Sequence, residues 1–510
     1  MRAPKISKSF ARFVATRALM ALFLFMTLAA WSMGSAVGGS PDEDWVLTNI
    51  WCSNNGNSSE CKREINTTDA FALPKLVAEP HFCYVSQGQN QSAACQEMST
   101  NQIIVKSNFT LQPSKYFDVA GAFVSPFVES SVVKLRFFNS FLGSLLVVSA
   151  AAFLIKDNSD LLIAWLAVIA PVTIYFISSV NTSSWTLVGT TCFTLAFIAA
   201  LKNWRQPKYW APTGLIVLIS LWLTNSSRRE GKYAILMLAL ATLFSEFAPK
   251  KNKVSFKSVL ALLVVFPIIF FIFKYFSTFY AIFTVSGNLN FFDDPRIEVT
   301  EGITTSANNL LINNLITLPR FITGFFGSWG LGWFELELTN TVWLFTLQAF
   351  LLVTVFALRK SSNVHRLIFG AFFAMMCIAI LYANQQRFAK VGEYIQPRYF
   401  LPFFLGIVII AASNKTERYP NSLVVTVAIL ATISNSIALR DTIRRYTTGQ
   451  DVFISKSLNN PIEWWWQFGP QPETIWLTGT LSFAVLWAIL ICERNNEAKV
   501  KLSATTSRDQ

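Results

Sequence analysis

About twelve apolar runs, most of them long enough to cross a bilayer as a helix and with few charges inside, constrain this chain more than any other feature. They lie near residues 17–37, 137–155, 161–180, 185–201, 211–224, 233–248, 256–273, 341–358, 366–383, 399–413, 421–438 and 475–492. The apolar residues come as continuous runs and not at amphipathic spacing, so these segments have no polar face to offer water. Composition agrees, with 53% of residues hydrophobic and only 14% charged. The expected fold is an all-α, multi-pass integral membrane protein.

Lysines and arginines in the short connections set the orientation. The N-terminus carries Arg2, Lys5, Lys8, Arg12 and Arg17, and even-numbered spans end near Lys202, Arg205 and Lys208, near Lys250, Lys251 and Lys253, and near Arg359, Lys360 and Arg366. Those ends are expected in the cytoplasm, with the chain in the plasma (inner) membrane. The net charge of +13 is then mainly a topology signal and does not point to nucleic acid. The division reads as a cytoplasmic N-terminus (1–16), a first span (17–37), an extracytoplasmic loop (38–131) and helices two to seven (132–283). A second outer loop (284–340), helices eight to eleven (341–438), a third outer loop (439–474), a last span (475–492) and a cytoplasmic tail (493–510) follow. The N-terminus shares features with a secretory signal peptide, but its apolar stretch is long enough to span, and an anchored helix is expected.

Four of the seven cysteines, Cys52, Cys61, Cys83 and Cys95, fall in the first outer loop. Four cysteines permit three pairings, and short separations favour Cys52 with Cys61 and Cys83 with Cys95. Metal binding is the competing reading, with His81 nearby but no CxxC spacing. The sequons at Asn57, Asn66, Asn90 and Asn108 matter only in a eukaryotic secretory pathway.

Directly after the first span stands Ser40-Pro41-Asp42-Glu43-Asp44-Trp45. Its carboxylates sit at the lipid–water boundary, where an enzyme acting on a lipid-linked substrate needs a base. A structural reading accounts for the same residues: Ser40 as helix cap, Pro41 in the first helical position, and Glu43 closing a capping box with Ser40. Basic and polar residues gather at the same face, namely Arg228, Arg229 and Lys274, with Gln396, Arg398 and Tyr399 before the tenth span. Such a collar suits a phosphate, although basic groups at helix ends also serve as interfacial anchors. Asn308 to Phe326 reads as an interfacial helix that guides a lipid tail or covers the bundle, followed by a Gly/Trp-rich turn. Asp293-Asp294-Pro295 reads as a turn before a second acidic site, and Trp464, Trp465 and Trp466 as an aromatic belt.

Taken together, Ser40-Pro-Asp-Glu-Asp-Trp45, Ser179-Val-Asn181 after Pro171, Leu331-Gly-Trp333 and Gln396-Pro-Arg-Tyr399 with Pro402 occur in the order seen in a bacterial family of polytopic membrane proteins, domain-of-unknown-function family 2142. The resemblance covers nearly the whole chain. That family is in turn similar to the GT-C glycosyltransferases, which use polyprenyl-phosphate sugars and place an essential carboxylate in the first outer loop. The resemblance implies that Asp42 and Glu43 are the catalytic carboxylates and that Arg398 binds the carrier phosphate. Three positions depart from the family pattern: Val46 stands where His is common, Glu335 where Asp follows the Trp motif, and Pro397 where Gly precedes the motif Arg.

The implied chemistry is transfer of a sugar from a polyprenyl-phosphate carrier to a cell-envelope glycan or lipid. A carboxylate takes the acceptor's hydroxyl proton and cations stabilise the departing phosphate. Hard oxygen ligands at Asp42 and Glu43 also suit Mg or Mn, although adjacent carboxylates alone do not establish a metal. Partners on this reading are membrane lipid, the donor and a glycan acceptor. A transporter or lipid flippase is the alternative from another class, and a non-catalytic envelope assembly protein a third. A transporter is expected to show repeated halves and broken midplane helices, and no convincing repeat is visible in the sequence.

Overall fold

The computed structural model describes residues 8–53, 57–58, 61–64, 70–78, 82–85, 91–96, 103–154, 159–247, 307–393, 395–450 and 457–506. Helix α1 (Lys8–Met33) opens the bundle and is followed by a loop region containing α2 (Glu43–Trp51), α3 (Lys75–Ala78) and α4 (Lys115–Gly121). The bundle resumes with α5 (Val128–Leu154), α6 (Ser159–Ile169), α7 (Val172–Ile177), α8 (Thr182–Lys202), α9 (Trp210–Asn225) and α10 (Arg229–Phe247). It is completed by α11 (Ala307–Gly324), α12 (Asn340–Arg359), α13 (Asn363–Gln386), α14 (Leu401–Ser413), α15 (Asn421–Thr447) and α16 (Pro472–Thr506).

Among the described residues, seven helices are long and apolar enough to cross a membrane: Ala11–Met33, Val128–Ala151, Thr182–Lys202, Asn340–Arg359, Asn363–Gln386, Asn421–Thr447 and Pro472–Asn496. Other expected spans coincide with helices that are shorter or more polar. The expected span 161–180 is divided, because Pro171 follows the end of α6 and the chain restarts as α7. Helix α14 has 13 residues. The expected span 256–273, Lys274 and Asp293-Asp294 lie outside the described residues. Two boundaries also move: α15 continues to Thr447, beyond the expected start of the third loop, and α16 carries the chain as helix through Thr506.

Helix α8 is the centre of the bundle, buried along most of its length. Thr186, Thr190 and Thr194 donate their hydroxyls to carbonyls one turn back, at 3.4, 2.7 and 2.8 Å, which lets polar residues line a buried helix. Gly189 permits α9 to approach closely, since a Cβ there would stand 2.3 Å from Thr224 Oγ1.

One end of the bundle gathers ion pairs. Arg17 meets Glu493 at 2.6 Å, Lys415 meets Asp160 at 2.6 Å, Arg494 meets Asp160 at 3.2 Å and Lys202 meets Glu246 at 3.7 Å. The Arg17–Glu493 pair ties α1 to α16. The loop region occupies the opposite end, where β1 (Asn57–Ser58), β2 (Cys61–Arg63), β3 (Phe71–Pro74) and β4 (Ile103–Lys106) form an antiparallel sheet in that order.

Both expected disulfides are present: Cys52–Cys61 and Cys83–Cys95 have Cα atoms 5.2 and 6.1 Å apart. The first links the end of α2 to β2, and the second closes a turn beside the bundle. Each closed loop is expected to stabilise by about 2–4 kcal/mol. Peptide mapping under non-reducing conditions should recover these two linked pairs, and four alkylatable thiols there would contradict the arrangement.

Candidate functional site

Between the end of α1 and the start of α2 the chain runs irregularly through residues 34–41, all buried. Buried backbone outside a helix must find partners for its carbonyls. Distant side chains supply them. Arg136 of α5 donates to the carbonyls of Ser32, Ser35 and Ala36 at 3.1, 2.6 and 2.7 Å. Tyr84 and Gln96 both reach Val37 O at 2.7 Å, Trp333 reaches Gly38 O at 2.9 Å, and Trp466 reaches Met33 O at 2.8 Å. Tyr175 and Tyr446 both donate to Gly39 O, and Asn181, the cap of α8, donates to Pro41 O at 2.6 Å. The segment is therefore fixed from α5, α7, α8, α15 and the connecting loops at once.

This fixed segment delivers Asp42. It takes φ 64° and ψ 5°, a left-handed conformation that Asp tolerates better than most residues, and its side chain makes no cap hydrogen bond to α2. Arg228 and Arg398 instead converge on its Oδ2 at 3.0 and 2.7 Å. The Asp42 side chain keeps 35% of its surface accessible, against 3% for Arg398. Arg398 comes from the turn Pro397–Tyr399, and Arg228 from the connection between α9 and α10. Nε of Arg228 donates to Thr182 Oγ1 at 2.9 Å, and Nη1 pairs with Glu230 at 3.0 Å. The Tyr399 ring centroid lies 5.4 Å from the Arg228 guanidinium and 5.1 Å from that of Arg398, so both cations contact one aromatic ring.

Glu43 has a different environment. Its side chain is fully buried and its Oε1 meets Arg136 Nη2 at 3.0 Å, while Oε2 accepts from the Ser40 amide at 2.9 Å. Burial raises the Glu43 carboxyl above its usual range, against the pull of Arg136 and the Ser40 amide. The expected cap is corrected here. Helix α2 starts at Glu43, behind Asp42, so Pro41 precedes the helix, and the Ser40 hydroxyl accepts from Asn181 Nδ2 at 3.2 Å. Only the Glu43 arm of the capping box forms, because Asp42's left-handed turn carries Ser40 away from the helix amides.

Of the remaining sequence candidates, Gln396 begins the turn and its carbonyl accepts from the Tyr399 amide at 3.2 Å. Arg229 opens α10, but its side chain, like Lys274, lies outside the described residues. Sequence reasoning passed over Arg136, whose signal was a charge inside the Val128–Ala151 span. It also gave no role to the tyrosines beneath Gly39.

Glu335 was noted in the sequence only as a departure, yet it joins this cluster. Leu331 and Leu336 pair as a small hairpin, with φ values of 60° at Gly332 and 70° at Phe334, and the tip places Trp333 on Gly38 O. Both Glu335 carboxylate oxygens are buried without a well-formed hydrogen bond. Burial pushes its carboxyl up to about 7, offset in part by the amides of Glu335 and Trp333, by Arg445 and by Tyr446. Tyr84 and Tyr175 also lie within electrostatic reach of Glu335. The sign follows from the raised value: stability from the neutral acid is full below about 4.5 and is lost as pH rises through about 7. Thermal unfolding of the wild type should weaken over that window, and Glu335→Gln should flatten the dependence. An unchanged profile would place Glu335 in a solvated setting.

The donor set does not fit a divalent metal. Asp42 is committed to two guanidiniums and Glu43 to a third, leaving no shared oxygen cage between them. Among the described residues, no group of three or more His, Cys, Asp or Glu side chains is placed to hold a metal ion.

A family model described as a predicted membrane protein, DUF2142, matches residues 24–407. That range takes in Asp42, Glu43, Arg136, Asn181, Arg228, Glu335 and Arg398, and ends before Arg445, Tyr446 and the Trp464–Trp466 run. No curated protein and no solved structure matches the chain.

Proposed function

The chain belongs to the DUF2142 family of predicted membrane proteins, and from its site we propose a membrane glycosyltransferase that moves a sugar from a polyprenyl-phosphate carrier to an envelope glycan or lipid. The observation that carries this reading is the arrangement at Asp42. A partly accessible carboxylate is presented by a rigid segment, and two guanidiniums from separate elements stand against it. Asp42 is the base for the acceptor hydroxyl. Arg398 and Arg228 exchange part of their hold on Asp42 for the carrier phosphate, which suits their planar forks. Glu43, shielded by Arg136, positions the turn that bears Asp42. Gln396 and Tyr399 frame the phosphate, and Arg229 and Lys274 remain proposed members of the collar.

On this reading the fold is GT-C-like, with twelve spans in the plasma membrane and both termini in the cytoplasm. The loop region with its disulfides then faces outward, and the ion-paired end faces the cytoplasm, in keeping with the basic connections. In a background lacking Cys192, Cys377 and Cys492, single cysteines at Ser7 and Thr506 should resist a membrane-impermeant thiol reagent in intact cells. Labelling of either would overturn the orientation.

An assembly role is the second reading, favoured by Asp42 having its cationic partners already in place. Transport is less well supported, because among the described residues Thr190 and Thr194 of the buried α8 turn their hydroxyls onto the helix's own backbone. The deciding experiment is turnover of polyprenyl-phosphate sugars by purified full-length protein in vesicles. Sugar transfer that depends on Asp42 supports the proposal, and no transfer to any envelope acceptor favours assembly.

A further inference from the structure

Helix α11 has three faces. Leu310, Asn314 and Phe321 are buried, and Asn314 fixes the helix by donating to Ala389 O and accepting from the Val391 amide, both at 2.9 Å. Leu311, Ile312, Leu315 and Ile316 form a second, exposed and wholly apolar face, with Ile316 72% accessible. Asn309, Asn313 and Arg320 make the third, polar and exposed. At helical spacing Arg320 borders the apolar stripe one turn beyond Ile316, and no hydrogen bond or ion pair engages its guanidinium among the described residues. An apolar stripe bordered by an unengaged cation matches an amphiphile with an anionic head.

The position of α11 narrows the occupant. Its C-terminal end packs on the turn that carries Arg398: a Cβ at Gly324 would stand 2.4 Å from Pro397 Cγ, and Phe321 meets Phe400 at 5.9 Å. An anionic head held at Arg320 therefore lies at the end of the stripe nearest the Asp42 site. The stripe is also narrow, only two side chains wide before Asn309 and Asn313 intervene, which fits one chain better than a diacyl lipid. We propose that the exposed stripe of α11 docks the isoprenoid chain of a polyprenyl monophosphate, and that Arg320 holds its phosphate before transfer to Arg398 and Arg228. This assignment rests on the glycosyltransferase reading and adds an entry site to it.

The test uses full-length protein in phosphatidylcholine vesicles, with binding of long-chain polyprenyl phosphate and of a short-chain prenyl phosphate measured separately. Arg320→Gln should weaken long-chain binding about tenfold, the loss expected for one charge-assisted phosphate contact. Ile312→Ser with Ile316→Ser should abolish the preference for the long chain and leave short-chain binding unchanged. Phosphatidylglycerol should not compete. Equal competition by phosphatidylglycerol, or long-chain binding indifferent to both variants, would show that ordinary bilayer lipid covers α11 and would overturn the assignment. If wild-type protein binds neither prenyl phosphate, the functional reading fails and this inference fails with it, a result distinct from binding that ignores α11.

Discussion

Asp42→Asn is expected to lower sugar transfer by about 10²- to 10⁴-fold, the usual loss when a positioned base is removed. The substitution is chosen because it changes little else. Asn also tolerates the left-handed conformation found at φ 64°. Its Oδ1 can still accept from Arg228 and Arg398, so the buried guanidinium of Arg398 keeps a partner. The variant should therefore insert and purify like the wild type while failing to restore the surface glycan of a deletion strain. Full restoration would make Asp42 an anchor for the two arginines, and the assembly reading would take precedence. Arg398→Lys is the companion: it retains the charge but loses the fork that reaches Asp42 Oδ2, Pro41 O and Tyr399 Oη together. Its effect should appear mainly in KM for the carrier, whereas Asp42→Asn acts on kcat.

How far this site was legible depends on the range of the interactions. Apolar runs located most of the membrane helices, because a helix in lipid satisfies its backbone locally and declares itself by composition. The disulfides were readable for a similar reason, since each joins cysteines 9 or 12 positions apart. Asp42 and Arg398 were found separately through their position at helix ends. That Arg398 donates to a carboxylate oxygen of Asp42, across 356 positions, is a tertiary fact with no local signature. The same limit hid the carbonyl clamps on residues 32–41, made by an arginine, two amide side chains, tyrosines and tryptophans far away in sequence. Ser40 shows the opposite case. Its local pattern called for a cap, and the tertiary demand to present Asp42 overrode it.

Glu43→Gln carries the largest expected cost in stability, and it separates the two acidic residues. The Glu43–Arg136 pair is fully buried on both sides at 3.0 Å. Removing one partner of such a pair leaves an uncompensated charge and typically costs about 3–5 kcal/mol, although the intact pair itself contributes little net stability. Glu43→Gln leaves the Arg136 guanidinium charged with only carbonyls and an amide oxygen to meet it. Arg136→Met should be worse still, because it strands Glu43 and also frees the carbonyls of Ser32, Ser35 and Ala36. The double variant should recover part of the electrostatic loss, so the two costs should not add. Thermal unfolding in detergent and the yield of folded protein provide the measurement. A Glu43→Gln protein as stable as the wild type but inactive would move the base from Asp42 to Glu43, despite its burial. A destabilised protein that keeps activity in proportion to the folded fraction would establish that Glu43 and Arg136 work through the segment they hold, leaving the chemistry to Asp42.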